Sequence, residues 1–183
     1  MPTNFESVAE MIQLLEREQV AYMLVGSLAG NLYGLPRATQ DADLVAEISA
    51  SQIHAISEML STEIVMDRQL SFEAITGTTR RMMLTLKSKF VIEIFEVGDD
   101  PHHRERFARR LRIPVRDLGI DVWVSTAEDM LIQKLRWGRG KDLDDAVGIV
   151  AISGQSLDWE YIHRWVDEHG TRPLLRQVQE DAE

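Results

Sequence analysis

Hydrophobic positions along the chain switch between helical and strand periods, and the switches outline a fold. Between residues 5 and 19, Phe5, Val8, Met11, Ile12, Leu14 and Leu15 recur at spacings of three and four with charges between them, which predicts an amphipathic helix. Val20 to Val25 is a short apolar run ending at Gly26, the pattern of a buried strand. Ser27 to Tyr33 predicts a short helix that opens on Ser27 and closes at Gly34, with Pro36 preventing continuation. Gln40 to Ile48 alternates as a second strand, and Ser49 to Leu60 returns to helical spacing behind a serine cap. Two β-rich runs, Met82 to Leu86 and Phe90 to Val97, predict a hairpin around Lys87, Ser88 and Lys89. Ile120 to Val124 is a last short strand. Beyond Ser125, TAEDMLIQKLRWG, DLDDAVGIVAI, LDWEYIHRWVDEHG and TRPLLRQVQEDA all read as helices joined by small loops. Strands followed by helices predict an α+β chain, with a core over residues 1–124 and a helical region over 125–183.

Composition narrows the chemistry. With 44% hydrophobic residues among 183, the chain can bury a core without disulfides or a structural metal. The absence of cysteine excludes thiol nucleophiles and thiolate zinc sites. A net charge of −10 argues against general coating of nucleic acid, which needs excess Lys and Arg on one face. No apolar run approaches the roughly 20 residues that span a bilayer, and MPTNFESVAEM lacks a signal-peptide pattern, so the expectation is a cytoplasmic protein with no membrane partner.

The segment from Val25 to Ile48 carries the chemistry. Asp41 and Asp43, one residue apart on a strand, point to the same face. Side-by-side carboxylates repel unless a cation sits between them, and a hard divalent ion such as Mg²⁺ suits oxygen donors. Gly26 and Ser27 supply backbone N–H groups and a hydroxyl at a predicted helix start, where phosphate is favoured. Gly26-Ser27 followed by Asp41-Ala42-Asp43 resembles the signature of the DNA-polymerase-β-type nucleotidyltransferase superfamily. Arg37, Ala38, Thr39 and Gln40 stand where its minimal members carry an Arg-x-Thr-x lead-in. The segment TAEDMLIQKLRWGRGKDLDDA is similar to that of small bacterial relatives including AbiEii-type toxins, with Lys134, Lys141, Asp142 and Asp145 at the matching positions.

That resemblance implies a mixed β-sheet flanked by helices, followed by a small C-terminal helical bundle. It further implies transfer of a nucleoside monophosphate from an NTP to a hydroxyl on RNA, a protein or a small molecule, with pyrophosphate leaving. Asp41, Asp43 and a third acid would hold Mg²⁺, with Mn²⁺ as a substitute. Glu93 is the third acid, standing where the family has Asp; Glu96, three residues on, faces the other side of its strand. Gly26, Ser27, Arg37, Thr39 and Lys134 would contact the nucleotide, and a cognate antitoxin is a partner in the toxin setting. The competing reading is a degenerate nucleotide-binding or protein-interaction module of the same fold.

Plainer readings stand beside these. Lys134 fits a solvated helix position, and Asp142 and Asp145 fit a helix N-terminus. His102 and His103 read as a loop pair with no third imidazole near, and His163 and His169 as helix-surface or cap residues. Trp137, Trp159 and Trp165 fit packing. The run Arg104, Arg106, Arg109, Arg110, Arg112 and Arg116 would either guide an RNA acceptor or solvate a short helix.

Overall fold

Thr3 and Glu6 close a reciprocal capping box at the start of the first helix, α1 (Asn4–Arg17), which buries Val8, Met11, Ile12 and Leu15 at the spacing the sequence predicts. The structure is a computed structural model, and it describes residues 3–60, 64–67, 69, 71–73 and 78–182. The chain continues through β1 (Ala21–Val25), α2 (Gly26–Gly30), β2 (Asp41–Glu47) and α3 (Ala50–Met59), the last capped by Ser49 and Gln52. Then come β3 (Val65–Asp67), β4 (Ser71–Glu73), β5 (Thr78–Thr85), β6 (Val91–Glu96), α4 (Pro101–Ala108), β7 (Leu111–Val115) and β8 (Ile120–Val124). Four helices follow: α5 (Ala127–Trp137), α6 (Gly140–Ser153), α7 (Trp159–Glu168) and α8 (Arg172–Asp181).

The strands form one mixed sheet in the order β3-β5-β6-β2-β1-β8-β7, with β4 paired to β5. β2 runs parallel to β6, and β1 parallel to β8; the other described pairs are antiparallel. Alternation sorts the side chains between two faces. Tyr22, Leu24, Ala42, Leu44, Ala46, Ile92 and Ile94 enter the main core, which runs from Val8 to Val178, so α5–α8 close over the same core as the sheet. Met23, Val25, Val45 and Phe95 face the other way and pack with Phe107 of α4. Leu44 is fully buried at 0% exposure, and each such side chain contributes about 1.5–3 kcal/mol.

Several local expectations change. α2 begins at Gly26 without a side-chain cap, so Ser27 lies inside the first turn instead of capping it. The hairpin is present, but β5 starts at Thr78, ahead of the apolar run, and Lys89 takes a positive φ of 66° in the connection. The arginine run is divided: Arg104 and Arg106 lie in α4, Arg109 and Arg110 just after it, Arg112 in β7, and Arg116 in a single 3₁₀ turn between β7 and β8. Pro114 is tolerated because β7 ends the sheet order, where a missing N–H costs no ladder bond. His102 and His103 are not in a loop: they occupy the first turn of α4, where Asp100 accepts from both backbone N–H groups, and both side chains are buried.

Candidate functional site

Register places the candidate residues in a row. Val25 of β1 lies opposite Asp43 of β2, and Asp43 lies opposite Glu93 of β6, so the residue after β1, Gly26, is in line with acids from the two next strands. Asp41 sits one pleat away on the face shared with Val45. Together with Ser27, Lys134, Lys141 and Asp142 they line an open cleft of about 190 Å³, whose apolar floor is Val25, Val45 and Phe95.

Gly26 is fixed by two constraints. Its φ of +64° lies in the left-handed region, and a Cβ there would stand 2.0 Å from Asp43 Oδ2. The loop that follows is pinned by Asn31, whose side-chain amide donates to the Arg37 carbonyl at 2.8 Å and accepts from the Arg37 N–H at 3.0 Å. Arg37 then donates from Nη2 to Ser27 Oγ at 2.5 Å and pairs through Nε with Asp145 Oδ1 at 2.8 Å. Thr39 Oγ1 donates to Asp41 Oδ1 at 2.5 Å, orienting that carboxylate. The lead-in residues thus brace the loop by direct contacts.

The second half of the cleft comes from α5 and α6. Gly138, at φ +61°, ends α5 in the left-handed conformation and turns the chain into α6. Lys134 Nζ reaches Asp142 Oδ1 at 3.1 Å and Asp145 Oδ2 at 2.6 Å. Lys134 and Asp142 are 2% and 0% exposed, which overturns the solvated-helix reading of Lys134. Replacing Lys134 by Met is expected to lower unfolding free energy by about 2 kcal/mol in denaturant titration. This is less than the several kcal/mol of an abandoned buried charge, because Arg139 stays on Asp142 and Arg37 on Asp145.

Burial works to raise the Asp145 carboxyl, but hydrogen bonds and charge from Arg37 and Lys134 outweigh it and hold the group below its ordinary 3.8. The unfolded chain therefore takes up this proton at a higher pH than the folded one. The stabilisation is complete above about 4 and is lost as pH falls through the folded-state value. Thermal midpoints should drop on acidification below pH ~4, and Asp145→Asn should flatten that dependence.

Arg80, at the start of β5, pairs through Nη1 with Glu93 Oε1 at 2.7 Å. It was missed because β5 opens on polar residues outside the apolar run. Arg106, Trp137 and Arg139 also line the cleft. Trp137 carries Lys134 Nζ 5.5 Å and Arg139 Cζ 5.1 Å from its ring centroid, and the GRGKD stretch after it was the available signal. Glu96 pairs with Arg81 instead of entering the cleft. The arginine run does not form one open basic surface. Arg104 pairs with Asp99, Arg106 is buried and donates to Gln133, Arg109 lies over the Tyr161 ring, Arg110 over Phe107, and Arg112 pairs with Glu16.

The three acids supply the oxygen donors that a hard divalent cation takes: Asp41 and Asp43 share a face, Glu93 is the register partner of Asp43, and the missing Cβ of Gly26 leaves room for Asp43 Oδ2. Their oxygens are not drawn together into a compact three-ligand group, and Glu93 is held by Arg80. Among the described residues no helix is long and apolar enough to cross a membrane. No curated protein matches the chain. Solved structures do. An antigenic nucleotidyltransferase-like protein from Paracoccidioides brasiliensis has a TM-score of 0.53 at 17% identity, covering 97% of this chain and 92% of that one. ANT(2'')-Ia in complex with adenylyl-2''-tobramycin has a TM-score of 0.59 at 12% identity, covering 93% and 99%. The solution structure of antibiotic-resistance factor ANT(2'')-Ia has a TM-score of 0.58 at 12% identity, covering 98% and 97%. At these identities the likeness shows the nucleotidyltransferase fold. The model of one family, described as a nucleotidyltransferase of unknown function (DUF6036), matches residues 3–181, and the chain belongs to that family.

Proposed function

We propose that the cleft binds a nucleoside triphosphate with Mg²⁺ and transfers its monophosphate to a hydroxyl acceptor. The observation that carries this reading is the row Gly26, Asp43 and Glu93, with Asp41 beside it, in one cleft with Lys134 and Lys141. Asp41, Asp43 and Glu93 would hold the cation, which when bound neutralises phosphate charge and polarises the α-phosphate. Backbone N–H groups at Gly26 and Ser27, with the Ser27 hydroxyl, bind the β- and γ-phosphates. Arg37, held on Asp145, donates to Ser27 Oγ and so braces that hydroxyl for the phosphates, while Lys134 offsets their charge from α5. The acceptor oxygen attacks the α-phosphorus in line, the α–β phosphoanhydride bond breaks, pyrophosphate leaves, and a Glu93 carboxylate oxygen takes the hydroxyl proton.

The partners held by Arg104, Arg106 and Arg112 favour a small acceptor over RNA. The adenylyl-2''-tobramycin in the ANT(2'')-Ia complex is an instance of a small adenylylated molecule on this fold. Toxin activity with an antitoxin partner rests on the Lys134, Lys141, Asp142 and Asp145 likeness alone, residues that here make an ion-pair network. One observation favours a second reading, a nucleotide-binding module without turnover: Arg80 engages Glu93, the residue assigned the acceptor proton. Incubation with each labelled NTP, Mg²⁺, and panels of polyhydroxylated small molecules, total tRNA and lysate protein decides among them. Labelled small molecules support the proposal, labelled tRNA moves the acceptor to RNA, and Mg²⁺-dependent NTP binding with no product supports the silent module.

A further inference from the structure

A second polar cluster lies where α4 packs on α5 and the end of α7. Asp100, His102 and His169 each bring one ligating atom within 4.8 Å of the others. No third imidazole stands near His102 and His103 along the chain, yet the His102 ring centroid lies 5.1 Å from that of His169. His102 is fully buried, and its Nδ1 has no hydrogen-bond partner; neither has His169 Nδ1. Leaving a buried ring nitrogen unpaired costs about 1–3 kcal/mol, and two such nitrogens on neighbouring rings set edge to face can be satisfied by one shared partner.

The other nitrogen of His102 supplies a second observation. His102 Nε2 stands 3.2 Å from Asp129 Oδ1, and Asp129 is itself held by hydroxyl donation from Tyr161 at 2.6 Å and from Thr126 at 2.8 Å. A carboxylate that accepts the Nε2 proton fixes the tautomer in which Nδ1 carries a lone pair, the outer-shell arrangement that orients metal-binding histidines. Burial, the largest influence, holds both His102 and His169 below the ordinary histidine value, His169 at about 4. Asp100 supplies the charge. Burial opposes its ionisation, but Arg136 outweighs that and holds it below 3.8. Arg136 contacts the Asp100 oxygens at 3.3 and 3.1 Å, longer than the roughly 2.7–2.9 Å of a tight charged pair. Its side chain is 25% exposed and can turn to solvent as a cation takes one oxygen.

We propose that Asp100, His102 and His169 bind a transition-metal ion of the Zn²⁺ class, with water at the fourth position, clipping the start of α4 to the end of α7. Two imidazoles and one carboxylate select such an ion over Mg²⁺, which prefers oxygen donors in octahedral geometry. The site is independent of the nucleotide cleft, so its test needs no transfer activity.

Untagged protein is titrated with Co²⁺ in excess Mg²⁺, which occupies oxygen-only sites, and then with Zn²⁺. The expected result is one equivalent of Co²⁺ showing the intense visible bands of tetrahedral coordination, displaced by Zn²⁺, with a rise in melting temperature on Zn²⁺ binding. His169→Ala, at a partly exposed helix end, should melt like the metal-free parent yet lose affinity by at least the roughly 10–100-fold that outer-shell changes cost. His163→Ala, elsewhere on α7, should bind as the parent does. Absence of the Co²⁺ bands, or equal affinity in His169→Ala, overturns the proposal.

Discussion

Asp43→Asn should cut Mg²⁺-dependent nucleotidyl transfer by at least about 10³-fold, some 4 kcal/mol of transition-state stabilisation, while leaving the melting temperature near that of the parent. Asp43 lies between the Gly26 loop on one neighbouring strand and Glu93 on the other, so its carboxylate is the one that both halves of the cleft share. An amide of the same shape keeps the packing and removes the negative charge that would hold the cation against the triphosphate. Asp41→Asn should act in the same direction. Its carboxylate would additionally lose the oxygen that accepts from Thr39 if the amide turned its NH₂ toward that hydroxyl. Transfer by Asp43→Asn at the parental rate would sink the assignment.

Gly26→Ala should lower transfer by about 10²-fold, because a displacement near 1 Å at a reacting centre is enough for a loss of that size. Two effects combine. An alanine in the left-handed region is strained by about 1–2 kcal/mol, and its methyl would occupy space 2.0 Å from Asp43 Oδ2. Either the loop or the carboxylate must move, and both belong to the cleft. The measurement is paired: transfer rate against unfolding free energy. A loss of stability of about 1–2 kcal/mol with unchanged transfer would mean that Asp43 has no catalytic position to lose.

Much of this site was readable in the sequence because it rests on local rules. Strand alternation puts Asp41 and Asp43 on one face, and the resemblance to the nucleotidyltransferase pattern points to Glu93 in FVIEIFEV as the third acid. The contacts that modify those residues come from distant segments and leave no periodic trace. Arg80 reaches Glu93 from the antiparallel neighbour, and Asn31 fixes Arg37 through a loop. Lys134 stood at ordinary helical spacing; only the reversal at Gly138 buries it against α6, making an ion-pair centre of a position that could equally have been surface. His102 shows the same effect more strongly. Its buried environment is assembled from Asp129 of α5 and Tyr161, Trp165 and His169 around α7, residues far apart along the chain. The arginine run left two readings open because charge along a sequence says nothing of pairing across a fold.

The most direct test of the nucleotide cleft is a crystal of the protein soaked with a nonhydrolysable NTP and Mn²⁺, whose anomalous signal locates the cation independently of the phosphate density. The expected result is an anomalous peak coordinated by Asp41 and Asp43, with Glu93 turned from Arg80 toward it and the β- and γ-phosphates on Gly26 and Ser27. Nucleotide bound at full occupancy with no Mn²⁺ at these carboxylates, or bound outside this cleft, would contradict the account.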